Sequence, residues 1–426
     1  MGRNVAWLLG GRGYVGLASI GYFALAARAL GPRGFGHFSL VLAFAQSATN
    51  LAQFQSWQAI IRYGAGHLAS GRGSRLGRLL GLTWALDMAG SAVGLMLTAA
   101  ALHWIGPLLG WSAADQARAL VFTGVVLLSV YATPTGALRL LDRFDLLAWC
   151  EGVSPTIRLA GSLALWAAGA PLRAFLGLWM ASYVASALSL WLGAGWEMRR
   201  RGLSLRLGPR QFALAWRQNP GIGRFMLLTN LGSSLETLPQ QFGTLAVGAA
   251  AGAAVAGAFR VAIKLARALA KPVQYIVRVF YPEVARLVAS GEHATVGQLV
   301  RRVTTWAALC GLALAMLMGV LGHPLMHLLA GRHFDLATAT LLLIGVAAAI
   351  ELARFALEPL LLARGKAGPL LLAKLGGFLA FAAGLALFLR PWGATGAAGA
   401  SALASAATAL AMAGFALGPL RKPGKP

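Results

Sequence analysis

The sequence predicts an all-α polytopic membrane protein, with about twelve transmembrane helices in two pseudo-symmetric six-helix lobes. Three observations predict it: composition, the spacing of apolar windows, and similarity between the two halves. Of 426 residues, 58% are hydrophobic and 12% charged, with a mean hydropathy of +0.69. Soluble domains carry roughly 25% charged residues. The net charge of +25 and pI near 11.6 would suggest nucleic acid in a soluble chain. With this hydropathy the excess Lys and Arg belongs to loops lying against anionic lipid, so no nucleic-acid partner is expected.

A span needs about 20 mostly apolar residues. Windows between Gly, Pro or charged breaks fall near 12–30, 36–61, 79–103, 117–138, 146–169, 173–196, 223–249, 255–280, 302–321, 337–362, 368–389 and 393–418. Most connections are short. The longest, "EMRRRGLSLRLGPRQFALAWRQNPGI" from Glu197 to Ile222, is basic and suits an interfacial amphipathic helix. This partitions the chain into an N-lobe at 1–198, a cytoplasmic linker at 199–222 and a C-lobe at 223–426. The N-terminus "MGRNVAWLLGGRGYVG" is interrupted by Arg12 and lacks a cleavage pattern, so the first span is expected to serve as its own targeting signal. Cys150 and Cys310 sit in separate apolar segments and suggest neither a disulfide framework nor a metal site.

Orientation follows from the distribution of positive charge. One set of loops carries Arg62, Arg72, Arg75 and Arg78, then Arg139 and Arg143, then Arg199 to Arg201 with Arg206, Arg210, Arg217 and Arg224. Arg286, Arg301, Arg302, Arg364 and Lys366 continue it. The alternate set offers Arg33, Arg118, Arg173, Arg332 and Arg390. With an even helix count and the basic tail "RKPGKP", both termini are expected in the cytoplasm.

The halves resemble each other. "ALGPRGFGHFSLVLAFAQ" has a counterpart in "AVGAAAGAAVAGAFRVAIKLA", and "LGWSAADQARALVFTGVVLL" in "LAGRHFDLATATLLLIGVAA". Both pairs fall at corresponding places, as a duplicated six-helix unit requires.

The stretch "AFRVAIKLARALAKPVQYIVRVF" is long and aliphatic enough to span, yet it carries Arg260, Lys264, Arg267, Lys271 and Arg278. On a helix the first four lie at relative angles of about 0°, 40°, −20° and 20°, with Gln274 near −40° and Arg278 near 0°. Arg260 to Lys271 covers roughly 16 Å of depth, more than snorkelling relieves for every member. Each unpaired cation facing mid-bilayer lipid costs at least about 2.5 kcal/mol, so the stripe must face a watery cavity or acidic partners. The intramembrane acids Asp87, Glu151, Glu236, Glu351 and Glu358 are too few to neutralise it, and some are expected to pair with Arg158, Arg354 or Lys374. A cationic cavity suits an anionic cargo, because Arg and Lys donate charge-assisted hydrogen bonds to phosphate oxygens.

Further candidates are weaker. Gln46, Asn50 and Gln53 share one face of the second span, which fits contact with sugar hydroxyls and equally fits interhelical hydrogen bonding. Arg62, Gln274 and Arg278 extend the polar set. Asp87, Glu236 (in "LTNLGSSLETLPQ"), Glu351 and Glu358 are candidates for ion coupling or for ion pairs with the stripe. In "HPLMHLLAGRH" the pair His323 and His327 has zinc-binding spacing and His333 follows, but no acid accompanies them at the spacing of a catalytic site. Neither a metal nor another cofactor is expected. No nucleophile-with-base motif or phosphate-binding glycine loop stands out.

The segments "ARALGPRGFGHFSLVLAFAQ", "QAIIRYGA", "VAGAFRVAIKLARALAKPVQYIVRVFYPEVARLVASGE" and "LAGRHFDLATATLLLIG" resemble the polysaccharide-transporter branch, including Wzx-type O-antigen flippases, of the multidrug/oligosaccharidyl-lipid/polysaccharide (MOP) flippase superfamily. The resemblance covers nearly the whole chain. It implies the MOP flippase fold, alternating access, and movement of an undecaprenyl-pyrophosphate-linked oligosaccharide from the cytoplasmic to the periplasmic leaflet of a bacterial inner membrane. Membrane lipid and other glycan-assembly membrane proteins are the further partners implied. In such relatives cavity cations engage the cargo, and Arg260, Lys264, Arg267 and Lys271 are the positions that fit. Two alternatives differ in kind. A MATE-like drug/cation antiporter is opposed by the positive stripe, and a membrane-embedded glycan polymerase or glycosyltransferase lacks the expected carboxylates and large periplasmic loop.

The charge asymmetry generates a topology prediction. In a variant lacking Cys150 and Cys310, a cysteine placed among Arg199 to Arg201 should resist a membrane-impermeant thiol reagent in intact cells, whereas one at Ala251 should react. Labelling of the Arg199 to Arg201 segment from outside would reverse the orientation.

Overall fold

The computed structural model describes residues 2–279, 293–364 and 366–417. Two features of the sequence, the loop cation Arg286 and the basic tail from Arg421, lie outside them. The described residues are almost entirely helical, with no strand among them, and seven helical stretches are long and apolar enough to cross a membrane. The chain divides into two compact units, Met1–Gln241 and Phe242–Pro426.

The first unit holds α1 (Gly2–Ala52), α2 (Ser56–Ala69), α3 (Gly73–Leu108), α4 (Ala113–Leu128), α5 (Ala132–Leu140), α6 (Phe144–Ala167), α7 (Leu172–Arg200) and α8 (Pro209–Gln218). It also takes in the beginning of α9 (Ile222–Val279). The predicted first and second spans form a single element, α1, broken at Gly31, where φ is 64°. Glycine alone adopts that conformation without strain, and Pro32 then suits the first turn of the following half-helix. Trp179 of α7, 1% exposed, is the centre of the surrounding core. Tyr22 and Phe38 of α1 meet it edge-on at centroid distances of 5.4 and 4.8 Å. The α4 start is set by a capping box: Ser112 Oγ accepts from the Asp115 N–H, and Asp115 accepts from the Ser112 N–H. The basic connection contains α8, which buries Ala215 and leaves Arg210 and Arg217 exposed, as an amphipathic helix requires.

Two predicted spans are interrupted. The segment 36–61 breaks between α1 and α2, and 117–138 breaks between α4 and α5. Each break leaves carbonyls without their intrahelical donors, and in an apolar setting those oxygens must find side-chain partners. They do. Ser234 donates to the Asn50 carbonyl at 2.6 Å, and Asn230 to that of Leu51 at 3.4 Å. Gln53 and Ser91 both donate to the Leu127 carbonyl, at 2.8 and 2.7 Å, and the Trp191 indole donates to that of Val130 at 2.9 Å. Asp87, 1% exposed on α3, ties the two breaks together. It accepts from Ser56, the first residue of α2, at 2.5 Å and from Thr133 at the start of α5 at 2.9 Å. A side chain at Gly94 would collide with Ala52 and press on Leu127, so glycine admits this close approach.

At the far end of α7, Glu197 is buried between Arg143 and Arg201, the latter at 2.7 Å. Arg143 also makes a bidentate pair with Asp145 at 2.8 and 2.9 Å, and its guanidinium holds that carboxyl down at about 2.

The second unit holds the rest of α9 with α10 (His293–Ala330), α11 (Thr338–Arg354), α12 (Leu357–Ala363) and α13 (Ala367–Leu417). Gly252 (φ 84°) breaks α9 and Gly393 (φ 51°) breaks α13. The predicted span 337–362 is interrupted between α11 and α12. Glycine packing holds α10 against α11: a Cβ on Gly311 would lie 2.8 Å from Ala349, and one on Gly345 2.9 Å from Ala315. Arg364 and Lys366 donate to the carbonyls of Ala416 and Phe415 at 2.7 and 2.8 Å, cations placed at a helix C-terminus. Three of the seven positive-φ glycines among the described residues of the first unit, Gly31, Gly110 and Gly169, have counterparts at similar spacing in the second, Gly252, Gly331 and Gly393.

The polar contacts around the breaks predict a large effect from a small change. Asp87→Ala strands the buried Ser56 hydroxyl, at about 1–3 kcal/mol, and leaves that of Thr133 only a 3.4 Å contact to Thr83, while Asp87→Asn keeps an acceptor and should destabilise less. Denaturant or thermal unfolding of the detergent-solubilised protein measures both. An alanine variant as stable as wild type would mean the contact holds nothing together.

Candidate functional site

The break at Gly252 starts a helical run that continues to Val279. Arg260, Lys264, Arg267, Lys271, Gln274 and Arg278 all lie on it at alternating spacings of four and three, so they share one face. From Ala262 onward the opposite side carries the buried positions Ala262, Leu265, Ala266 and Ala270. On the stripe Lys264 is exposed, Arg267, Lys271 and Gln274 are half-buried, and Arg260 is buried at 4%. The Arg278 side chain lies outside the described residues. A guanidinium stays protonated at any physiological pH, so Arg260 brings a permanent charge into a buried position. Like charges at i, i+4 repel by about 0.2–0.5 kcal/mol per pair. A helix face built this way is suited to a multivalent anion, whose oxygens accept from several cations at once.

In the same unit Glu358 pairs with Lys374 at 2.9 Å, and Glu351 is half-buried on α11 one turn before Arg354. The expected pairing of an acid with Lys374 is therefore seen at Glu358.

In the first unit the predicted polar residues have different surroundings. Gln46 and Asn50 are half-buried on α1. At Gln53 the structure shows an interhelical hydrogen bond, to the Leu127 carbonyl. Asp87 is held by two hydroxyls, as described. Arg62 is exposed, with its guanidinium 4.6 Å from the Phe225 ring centroid and 5.6 Å from that of Tyr63. Glu236 is exposed on the beginning of α9. Glu151 sits 3.9 Å from Arg139, whose guanidinium stacks 4.4 Å over Trp57.

Arg158 departs from expectation. Its Nε donates to Ser182 at 2.8 Å, and its guanidinium lies 4.5 Å from the Tyr183 centroid, 5.3 Å from Trp179 and 5.8 Å from Tyr22. A hydroxyl and three aromatic rings thus surround a cation for which an acidic partner was expected, since ring quadrupoles attract guanidinium in a dry setting. The signal in the sequence was Trp179 and Tyr183 one turn apart on a neighbouring span.

A family model described as polysaccharide biosynthesis protein matches residues 1–288. Inner membrane protein YghQ of Escherichia coli (strain K12) is 30% identical over 287 residues, covering 67% of this chain and 80% of that protein. A solved structure of a multidrug resistance MATE family transporter of the MOP superfamily, inward-facing, superposes with a TM-score of 0.71 at 13% identity, over 97% of this chain and 93% of that one. Lipid II flippase MurJ, in its inward closed conformation, gives a TM-score of 0.71 at 10% identity, over 96% of this chain and 87% of that one. At these identities the structural likeness is one of fold, and the membership rests on the sequence match. The chain belongs to the polysaccharide biosynthesis protein family, and its fold is that of the MOP flippase superfamily.

Proposed function

We propose that this protein is a flippase that moves a polyprenyl-pyrophosphate-linked oligosaccharide from the cytoplasmic to the periplasmic leaflet of a bacterial inner membrane. The chain crosses twelve times, with both termini cytoplasmic, and two lobes, 1–198 and 223–426, alternate access around a central cavity. The observation that carries this reading is the cationic face of α9, from buried Arg260 to half-buried Lys271. These residues bind the pyrophosphate, with Gln274 and Arg278 extending the face. Gln46, Asn50 and Arg62 are the polar groups proposed for the sugars. Glu236, Glu351 and Glu358 are proposed to balance the charge of the cations or to couple an ion.

The physics favours export. Two negative charges leaving an inside-negative cell gain about 4.6 kcal/mol per 100 mV if both cross the whole field, so the membrane potential itself favours the outward step. A drug/cation antiporter of the same fold would have to bring a cationic substrate against like charges, which sets that reading second.

Cargo binding and internal pairing predict opposite outcomes for charge reversal. Lys264→Glu and Arg267→Glu should leave membrane abundance near normal while lowering surface-glycan export per molecule, because a carboxylate in place of a cation repels the pyrophosphate. If the cations instead served internal ion pairs, the same variants would strand buried partners, at about 3–5 kcal/mol, and the protein itself would become scarce. Variants that accumulate and export normally would remove α9 from the cargo site.

A further inference from the structure

The end of α10 and the turn after it gather three groups that the flippase reading does not use. His323 and His327 lie one turn apart on the last turns of α10. Gly331, with φ 102°, then reverses the chain. Phe334 and Leu336 are buried on either side of exposed Asp335, so the turn is anchored with its carboxylate directed outward. The Leu336 N–H donates to Asp335 Oδ1 at 3.0 Å, which fixes that carboxylate further. One ligand atom from each of His323, His327 and Asp335 lies within 4.8 Å of the other two.

We propose that these three residues form a binding site for one zinc-class divalent cation, clamping the end of α10 to the turn that leads into α11. The donor set, two imidazoles and a carboxylate with a fourth position open to water, is one that Zn²⁺ accepts in tetrahedral geometry. His323 Nδ1 and Asp335 Oδ1 are 2.8 Å apart. Ligands at zinc distances sit about 3.3 Å apart around a tetrahedral ion, so this pair needs to open by about half an ångström while His327 swings in. The other ring nitrogen of His323 is held at 3.2 Å by Thr338 Oγ1. When Nε2–H donates to that hydroxyl, Nδ1 presents its lone pair toward the site, the outer arrangement common to metal-bound histidines. Independently, His327 Nε2 is buried and makes no hydrogen bond among the described residues, a position that a water or a metal ion completes. The site also lies at a helix C-terminus, where a cation is favoured. His333, exposed in the same turn, is not part of the group and serves as the internal control.

The test uses the full-length protein without a histidine tag, in detergent, titrated with zinc alone against a chromophoric chelator. Wild type and His333→Ala should each take up one equivalent and melt at a higher temperature in its presence, since a ligand of the folded state stabilises it. His323→Ala, His327→Gln and Asp335→Asn should bind at least about 10-fold more weakly and show no zinc-dependent rise in melting. Their melting without zinc reports whether they are folded. The His323 and Asp335 contact is an ion pair only, and the proposal fails, if wild type takes up no zinc. It fails equally if folded His323→Ala/His327→Gln double-variant protein binds zinc as wild type does.

Discussion

The first unit depends on a rule that apolar surroundings enforce: a helix may break inside them only if the backbone groups it releases find partners. Two breaks in that unit meet the rule with side chains from distant parts of the chain. Gln53 and Ser91 converge on the Leu127 carbonyl, Trp191 serves Val130, and Ser234 and Asn230 serve the end of α1. Asp87 accepts from both segments that restart after the breaks. These contacts give polar residues in apolar helices a structural purpose, which explains why Gln53 and Asp87 are turned into the protein.

The same scarcity of water shapes the charges. In the first unit Arg143 and Arg201 enclose Glu197, Arg139 stacks on Trp57, and Arg158 rests among Tyr22, Trp179 and Tyr183. Each of these four cations is matched to a group that suits its planar guanidinium. On α9, Arg260, Lys264, Arg267 and Lys271 are stacked turn upon turn along one face. Like charges at that spacing repel, a cost that the proposed pyrophosphate would offset.

Much of this was legible in the sequence where one residue type has one cause. The gaps between the windows 12–30 and 36–61 and between 223–249 and 255–280 fell where Gly31 and Gly252 break the helices, and the spacing of the cations placed them on one face of α9. The basic linker gave α8. Interrupted helices were harder to see: the window 117–138 is long and apolar enough to read as one span despite Ser129 and Pro134, and its break at 129–131 is completed by tertiary donors far away in sequence. Arg158 was expected to need an acid because aromatic partners leave no charge signature. Asp335 was overlooked as a companion to His323 and His327 because it reaches them across a turn, where helical spacing has no meaning.

The central claim, that the cationic face of α9 holds a pyrophosphate, is tested most directly by binding without transport. A short-chain polyprenyl pyrophosphate would be titrated into the purified protein in lipid nanodiscs, with the uncharged polyprenol as reference. Loss of one charge-assisted contact is worth about 1.5–3 kcal/mol, so Arg267→Glu should weaken pyrophosphate binding by about 10-fold or more and leave the polyprenol unaffected. Equal pyrophosphate affinity in wild type and a folded Lys264→Glu/Arg267→Glu variant would contradict the account.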